Sequence, residues 1–150
     1  MKIELVKYSE DFLDYSWTWL NDPEIKDMTN TTSFSKETQK EWFNTLQNRN
    51  DYIIWGIEAD NIPIGACGLK NITNLDCEYW GYIGVKSFWG KGIGRIVMNL
   101  LIEYARNNDI KSIWLTVLPD NERAQKLYFK LGFKVEPNEI SDLIQMRLVL

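Results

Sequence analysis

The segment Gly90-Lys91-Gly92-Ile93-Gly94-Arg95 lies where the periodicity of the chain changes from that of a strand to that of a helix. The strand is predicted over residues 77–85 and the helix over about 92–107, whose apolar side chains Ile93, Val97, Leu100, Leu101 and Tyr104 share one face. Three glycines at alternate positions therefore open a helix directly after a strand. A strand that runs through such a glycine loop into a helix is typical of an α/β fold.

The geometry and charge of this glycine loop, residues 90–95, favour an anion. Backbone N–H groups in the first turn of a helix lack intrahelical partners, and the macrodipole is positive there. Glycines let a phosphate approach these groups closely. Lys86, Lys91 and Arg95 bracket the loop in a chain whose net charge is −4. Short glycine patterns also occur in plain strand-to-helix turns, so the loop alone leaves both interpretations open.

Two common phosphate-binding motifs do not match the glycine loop. A Walker A loop has four residues between its first glycine and its Gly-Lys pair, whereas five separate Gly84 from Gly90. Gly92 also stands where Ser or Thr would bind Mg²⁺. A dinucleotide fingerprint has its third glycine one residue later than Gly94, and the next strand contains no acid to hold a ribose. These departures disfavour a kinase and a dinucleotide-binding enzyme.

The rest of the chain predicts one domain, residues 1–150, with a mixed central sheet of six to seven strands and about four helices. The helices, with their caps, are predicted over residues 9–20, 35–48, about 92–107 and 121–131. The strands are predicted over residues 2–7, 52–59, 63–70, 77–85, 111–118, 133–137 and 144–149, with an antiparallel meander in the middle. Asn21-Asp22-Pro23 is predicted to end the first helix, and the polar stretch 24–34 is predicted as a loop.

Composition excludes several classes of function. The 150 residues are 45% hydrophobic and 25% charged, which suffices for a packed core without disulfide bonds or structural metal ions. The chain has no histidine, so zinc hydrolases and Ser-His-Asp hydrolases are excluded and no metal is expected. The negative net charge argues against nucleic-acid binding. The acidic start Met1-Lys2-Ile3-Glu4 and the lack of a long apolar run predict a soluble cytoplasmic protein with no membrane span.

A second segment accompanies the glycine loop. Asn121-Glu122-Arg123-Ala124-Gln125-Lys126-Leu127-Tyr128-Phe129-Lys130-Leu131-Gly132-Phe133 follows the next predicted strand. Together, residues 83–95 and 121–133 resemble the motifs of the GNAT superfamily of acetyl-CoA-dependent N-acetyltransferases. The early Trp19-Leu20-Asn21-Asp22-Pro23-Glu24 and Trp42-Phe43 extend the resemblance over nearly the whole chain. Within the superfamily, the pattern is similar to the branch that acetylates ribosomal-protein termini, diamines and nucleotide-linked amino sugars.

The resemblance implies a GNAT-like single domain that binds acetyl-CoA as its acyl donor. In the family the loop reads Gln/Arg-x-x-Gly-x-Gly/Ala; Gly92 and Gly94 match its small positions, and Trp89 departs from its Gln or Arg. The departure affects the side-chain contact expected from position 89 but not the cradle of backbone amides in residues 90–95. The resemblance implies that Ile83 and Val85 face the pantetheine arm and that the glycine loop holds the pyrophosphate. The full implied set is Ile83, Gly84, Val85, Gly90, Lys91, Gly92, Ile93, Gly94, Arg95, Asn121 and Lys130.

Two side chains are the candidate catalytic residues. The resemblance places Tyr128 near the thioester sulfur, where its hydroxyl can donate a proton to the departing thiolate; its position on the apolar helix face also fits a core tyrosine. A backbone N–H freed by a splayed strand near residues 84–85 is expected to polarise the carbonyl. Without histidine, a carboxylate is the expected base.

Glu78 is the first candidate for that base. Three aromatic residues surround it in the sequence, and apolar neighbours are expected to raise the pKa of a carboxyl group. The alternative is a solvated strand carboxylate. Glu58 and Glu122 are weaker candidates.

The acceptor is predicted to be the primary amine of a small molecule that attacks the thioester directly in a ternary complex. The stretch Met28-Thr29-Asn30-Thr31-Thr32 suits hydrogen bonding to a hydroxylated ligand, and stacking walls can come from Trp17, Trp19, Trp42 and Trp55. This combination favours a nucleotide-linked amino sugar. A protein N-terminus stays open, as does a polyamine, for which an acidic pocket can come from Glu24, Asp27 and Glu37. A non-catalytic acyl-CoA sensor and a homodimer also stay open.

Overall fold

The computed structural model describes residues 1–150 as seven strands and five helices. In chain order these are β1 (Ile3–Lys7), α1 (Glu10–Leu20), α2 (Pro23–Met28), α3 (Lys36–Leu46), β2 (Ile53–Ala59), β3 (Ile62–Lys70), β4 (Asp76–Ile83), α4 (Ile93–Asn107), β5 (Ser112–Val117), α5 (Glu122–Lys130), β6 (Lys134–Glu136) and β7 (Ile144–Val149). A short 3₁₀ turn at Lys86–Phe88 precedes the glycine loop. No helix combines the length and the apolar character that crossing a bilayer requires.

Three of the five helices, α2, α3 and α5, begin at residues whose side chains accept hydrogen bonds from free backbone amides. The Ser35 hydroxyl accepts a hydrogen bond of 3.1 Å from the Thr38 amide, and the Asn121 side chain accepts one of 3.2 Å from the Ala124 amide. Ser9 takes the cap position of α1 but its side chain makes no capping bond. Gly132, with a φ of 101°, follows α5 as the predicted left-handed terminator.

The prediction of a loop over residues 24–34 is wrong in its first part, which forms α2. The Asp22 carboxylate accepts hydrogen bonds from the amides of Glu24 and Ile25, at 3.0 and 3.3 Å. Pro23 fits the first turn of a helix, where its missing N–H needs no partner. Asn21-Asp22-Pro23 therefore ends one helix, as predicted, and also begins the next.

The strands form one mixed sheet in the order β1-β2-β3-β4-β5-β7-β6, which confirms the predicted α/β class and the central meander. β4 and β5 are the one parallel pair, joined by the crossover through α4. Their pairing ends at Glu78 and Trp114, although β4 continues to Ile83 and β5 to Val117. The sheet therefore opens into a gap between the carboxyl ends of these two strands.

Helices cover both faces of the sheet. One face packs with α4 and α5 in the main core, whose fully buried side chains include Val97, Met98, Leu101, Leu115, Phe133 and Met146. The other face packs with α1 to α3 in a smaller cluster around Phe12, Trp19 and Ile25. A Cβ on Gly84 would lie 2.2 Å from the Trp19 ring, so glycine at this position allows α1 to lie directly on β4.

Candidate active site

A cleft of about 780 Å³ extends from the glycine loop, across the gap between β4 and β5, to the inner side of α1 and α3. Its lining comes from both faces of the sheet, because β4 and β5 are not hydrogen-bonded to each other at the gap and so do not separate the two faces there. Clefts of this size hold small-molecule ligands.

The edge of β4 that faces the gap carries backbone groups without a strand partner. The Gly84 amide donates 2.6 Å to the Ile64 carbonyl of β3. Hydrogen bonding alternates along an antiparallel ladder, so the backbone groups of Gly81 and Ile83 point away from β3 and towards the gap. An extended ligand can pair with this edge as another strand would.

The free amide expected near residues 84–85 is not present. The amides of Gly84 and Val85 both donate to the Ile64 carbonyl, at 2.6 and 3.2 Å, as in a β-bulge. Neither residue lines the cleft. The prediction is wrong because β4 separates from β5 and not from β3, so these two amides keep their partner. The amide nearest to residues 84 and 85 that faces the gap is that of Ile83.

Trp89, the departure from the family pattern, turns towards β4. Its indole Nε1 donates a hydrogen bond of 2.9 Å to the Ile83 carbonyl. The Lys86 ammonium lies 6.0 Å from the centre of its ring and forms ion pairs of 3.0 Å with Asp22 and Glu24 of the α2 turn. Lys86 is therefore engaged by carboxylates, and the expectation that it serves the glycine loop is wrong.

The glycine loop forms a concave set of amides at the start of α4. Gly90 and Gly92 have φ values of 78° and 77°, which side chains other than glycine rarely adopt. The first helical bond runs from the Ile96 amide to the Gly92 carbonyl, so the amides of residues 93–95 have no acceptor within the helix. All residues of the loop except Lys91 line the cleft.

Arg123 is a candidate site residue that the sequence pattern did not single out. A Cβ on Gly90 would lie 3.0 Å from its guanidinium, and Arg123 lines the cleft. Its place in the first turn of α5, two residues after the Asn121 cap, was the available signal. Lys130, which the resemblance implied in coenzyme binding, is exposed at the other end of α5 and does not line the cleft. The difference follows from the direction of α5, which faces the glycine loop through Arg123 and Leu127 and carries Lys130 beyond them at its far end.

Tyr128 reaches the cleft from the main core. Its ring packs edge-on against Tyr79 at 6.4 Å between centroids. Burial raises the pKa of Tyr128 to about 12, and no protein group hydrogen-bonds to its hydroxyl. The side chain is therefore protonated at neutral pH and free to donate a hydrogen bond into the cleft.

Glu78 lines the same cleft from the opposite face of β4, since neighbouring residues of a strand alternate in direction. The Asn71 side-chain amide donates 2.9 Å to its carboxylate, and the Lys70 ammonium lies 3.8 Å away. The apolar surroundings expected for Glu78 are therefore only partly present. Glu58 and Glu122 do not line the cleft.

The far part of the cleft, on the side of α1 and α3, is lined by aromatic rings and uncharged polar groups. We call it the acceptor chamber; its residues are Tyr8, Ser16, Met28 to Thr32, Thr38, Gln39, Trp42, Tyr52, Trp80 and Tyr82. Trp42 and the stretch 28–32 lie there as expected, whereas Trp17, Trp19 and Trp55 do not line it. Glu24, Asp27 and Glu37 are also outside it, because their side chains lie on the outer surface of α2 and α3.

Comparisons with known proteins find a matching family model and several relatives. The family model described as the acetyltransferase (GNAT) family matches residues 14–133. The acetyltransferase PseH of Campylobacter jejuni is 27% identical over 82% of this chain and 77% of its own length. An uncharacterised protein of Methanocaldococcus jannaschii is 27% identical over 89% of this chain, which spans 28% of that protein.

Solved structures show the same fold. A domain from M. jannaschii superposes with a TM-score of 0.87 at 23% identity, covering 99% of both chains. PseH in complex with acetyl coenzyme A gives 0.77 at 21% identity, also over 99% of both chains. A spermidine N-acetyltransferase from Vibrio cholerae in complex with CoA and spermine gives 0.89 at 20% identity, over 98% of this chain and 95% of that one.

Proposed function

Because the chain belongs to the acetyltransferase (GNAT) family, we propose that it transfers an acetyl group from acetyl-CoA to the primary amine of a small hydroxylated molecule. The observation that carries this proposal is the continuous cleft, which joins the amides of the glycine loop to the acceptor chamber through the gap between β4 and β5. Donor and acceptor can therefore be bound together. Neither cysteine lines the cleft, which supports direct attack by the amine over a cysteine-bound acyl intermediate.

The donor half suits coenzyme A. The amides of residues 93–95 and the guanidinium of Arg123 suit a pyrophosphate, since both offer donors and positive charge to phosphate oxygens. The edge of β4 that faces the gap suits the end of a pantetheine arm. The Ile83 amide takes the place of the residue 84–85 amides as the candidate donor to the thioester carbonyl.

Tyr128 is proposed to stabilise the departing thiolate. Its pKa of about 12 lies above the roughly 8.5 of an ordinary thiol, so a complete proton transfer from Tyr128 to the sulfur is unfavourable. A hydrogen bond from the protonated phenol to the developing thiolate carries no such cost. Tyr128 therefore acts in this proposal mainly as a hydrogen-bond donor in the transition state.

Glu78 is proposed to take the proton from the acceptor's ammonium group, directly or through water. It is the single carboxylate among the cleft-lining residues. Its hydrogen bond to Asn71 and its proximity to Lys70 hold the carboxylate in place. This side chain enters from the face of the acceptor chamber, whereas Tyr128 enters from the opposite face, so the two can act on the two ends of the reacting group.

The acceptor chamber supports an amino sugar better than a polyamine. Aromatic faces with a rim of hydroxyl and amide groups fit a ring that carries hydroxyls. A polyamine needs several carboxylates for its ammonium groups, whereas the whole cleft has only Glu78, which is already paired with Lys70. The attachment of the amino sugar to a nucleotide, a cytoplasmic location and a homodimer stay predictions.

The test is release of free thiol from acetyl-CoA in the presence of a panel of amines. Free and nucleotide-linked amino sugars are expected to give the highest kcat/KM, above polyamines and peptides. Turnover of polyamines or peptides alone would replace the proposed acceptor. Tight coenzyme binding without thiol release with any amine would instead support a sensor, and failure to bind acetyl-CoA would refute the proposal.

A further inference from the structure

Three hydroxyl groups meet inside the acceptor chamber. The hydroxyls of Tyr8 and Tyr82 lie 2.7 and 3.0 Å from the Ser16 hydroxyl. Ser16 is 1% exposed, and all three residues line the cleft. These side chains come from the residue after β1, from α1 and from β4, so only the packing of α1 on the sheet brings this hydroxyl cluster together.

The hydroxyl cluster has one more hydrogen than it has bonds. Three hydroxyls supply three donor hydrogens, and two hydrogen bonds join them. Burial raises the pKa of both Tyr8 and Tyr82, so all three hydroxyls are protonated at neutral pH. Both tyrosine hydroxyls donate to the Ser16 oxygen, so the Ser16 hydrogen is the one left without an acceptor in the protein. Its acceptor must come from the cleft.

On the basis of the proposed function, we propose that the hydroxyl cluster binds an oxygen atom of the acceptor. The acceptor is then an amine with a hydroxyl, ether or carbonyl oxygen close to its amino group. Tyr82 directly precedes Ile83, whose backbone faces the gap, so the bound oxygen lies beside the opening through which the acetyl group is delivered.

Two features make this contact selective. The cluster is uncharged and buried, so a neutral oxygen satisfies it without the cost of pairing or burying an ion. An amine that lacks the oxygen leaves the buried donor unpaired, and sites built around such a donor discriminate strongly against the analogue without the partner. Ser16 is the residue on which the cluster depends, because both hydrogen bonds end on its oxygen.

The experiment compares kcat/KM for glucosamine and for cyclohexylamine, a six-membered ring amine without oxygen, in four proteins. These are the wild type, Ser16→Ala, Tyr82→Phe and the control Tyr15→Phe, which removes a hydroxyl from α1 outside the cleft. Ser16→Ala removes the unpaired hydrogen and is expected to lower kcat/KM for glucosamine about 10-fold. Tyr82→Phe removes one of the two bonds that orient Ser16 and is expected to lower it about fivefold, and both variants should leave kcat/KM for cyclohexylamine within about twofold. The KM for acetyl-CoA and the kinetics of Tyr15→Phe should not change.

An equal loss for both amines in Ser16→Ala and Tyr82→Phe would overturn the inference, because a structural defect does not distinguish them. Unchanged kcat/KM for glucosamine in both variants would also overturn it. If Ser16→Ala does not fold, Tyr82→Phe decides, since it keeps the ring and removes one hydroxyl. If the wild type releases no thiol with any amine tested, the proposed function itself is refuted. If the wild type turns over both amines without discrimination, the proposed function stands and only the inference about the hydroxyl cluster is overturned.

Discussion

The indole N–H of Trp89 donates a 2.9 Å hydrogen bond to the carbonyl oxygen of Ile83, and this bond closes the loop between β4 and the glycine loop. A tryptophan side chain has a single N–H donor, so Trp89 has none left for a phosphate. The position that carries Gln or Arg in the family pattern is therefore structural in this chain. Positive charge near Gly90 comes instead from Arg123 of α5.

Trp89→Phe tests whether the indole of Trp89 stabilises the fold through its hydrogen bond to Ile83 and does not bind the coenzyme. Loss of the hydrogen bond is expected to lower the free energy of unfolding by about 1 kcal/mol, while the KM for acetyl-CoA stays within about threefold because the backbone cradle is intact. Urea unfolding and steady-state kinetics measure the two effects, with Trp17→Phe, outside the cleft, as the control. A 10-fold or larger rise in the KM, on the order of 1.4 kcal/mol, would show that the indole itself holds the coenzyme.

Arg123→Gln and Lys130→Gln remove one positive charge each from the two ends of α5. Arg123→Gln is expected to raise the KM for acetyl-CoA about fivefold and to weaken its dependence on salt, because a charged contact to phosphate is lost. Lys130→Gln is expected to have no effect, since Lys130 does not line the cleft. Equal effects of the two substitutions would mean that general surface charge, and not a contact at Gly90, attracts the coenzyme.

Tyr128→Phe is expected to lower kcat about 100-fold with little change in the KM for acetyl-CoA, because the lost hydrogen bond forms to charge that develops in the transition state. Burial raises the pKa of Tyr128 to about 12, so the wild type should show no loss of activity from this residue up to about pH 10. Tyr104→Phe, which alters a ring packed on Trp55 away from the cleft, is the control. Unchanged transfer in Tyr128→Phe would assign this tyrosine to the core alone.

Glu78→Gln is expected to lower kcat by about 100-fold or more and to remove the decline of the rate at low pH, because an amide cannot accept the proton. The matched control is Glu58→Gln, a carboxamide substitution on β2 outside the cleft. The profile of kcat against pH is the measurement. A variant that keeps the acid limb of the wild type would show that another group is the base.

The buried tyrosines predict a loss of stability in alkali. Burial raises the pKa values of Tyr8, Tyr52, Tyr79, Tyr82 and Tyr128, those of Tyr8 and Tyr128 to about 12. Below about pH 10 the folded and unfolded states both keep these protons, so stability is unaffected. Above it, the unfolded state loses protons that the folded state retains, and the free energy of unfolding falls by about 1.4 kcal/mol per pH unit for each tyrosine.

Urea unfolding at about pH 9 and about pH 11, with the ultraviolet absorbance of tyrosinate recorded in parallel, measures this loss. The absorbance should rise for the buried tyrosines only as the protein unfolds. Full titration of all tyrosines near pH 10 in the folded protein would contradict the prediction.

Much of the fold was predictable because its signals are local. The strand periodicity, the Ser35 and Asn121 caps and the positive φ of Gly90 and Gly92 depend on residues close in the chain. The same holds for the motifs around the glycine loop and α5 that indicate the family. The prediction of a loop at residues 24–34 was wrong in its first part, because Asp22 follows the end of α1 and also caps α2. A signal that ends one helix does not by itself reveal that another helix begins there.

The sequence by itself therefore determined the α/β class, the order of the elements except α2, the family and the position of the glycine loop between β4 and α4. Only the tertiary structure decided which side chains meet: Trp89 with Ile83, Arg123 with Gly90, and Tyr82 with Ser16, which is 66 positions away in the chain. It also decided that the gap opens between β4 and β5 while residues 84 and 85 stay bonded to β3. Such partners depend on strand register and on helix packing across the sheet, and no local pattern of residues encodes them.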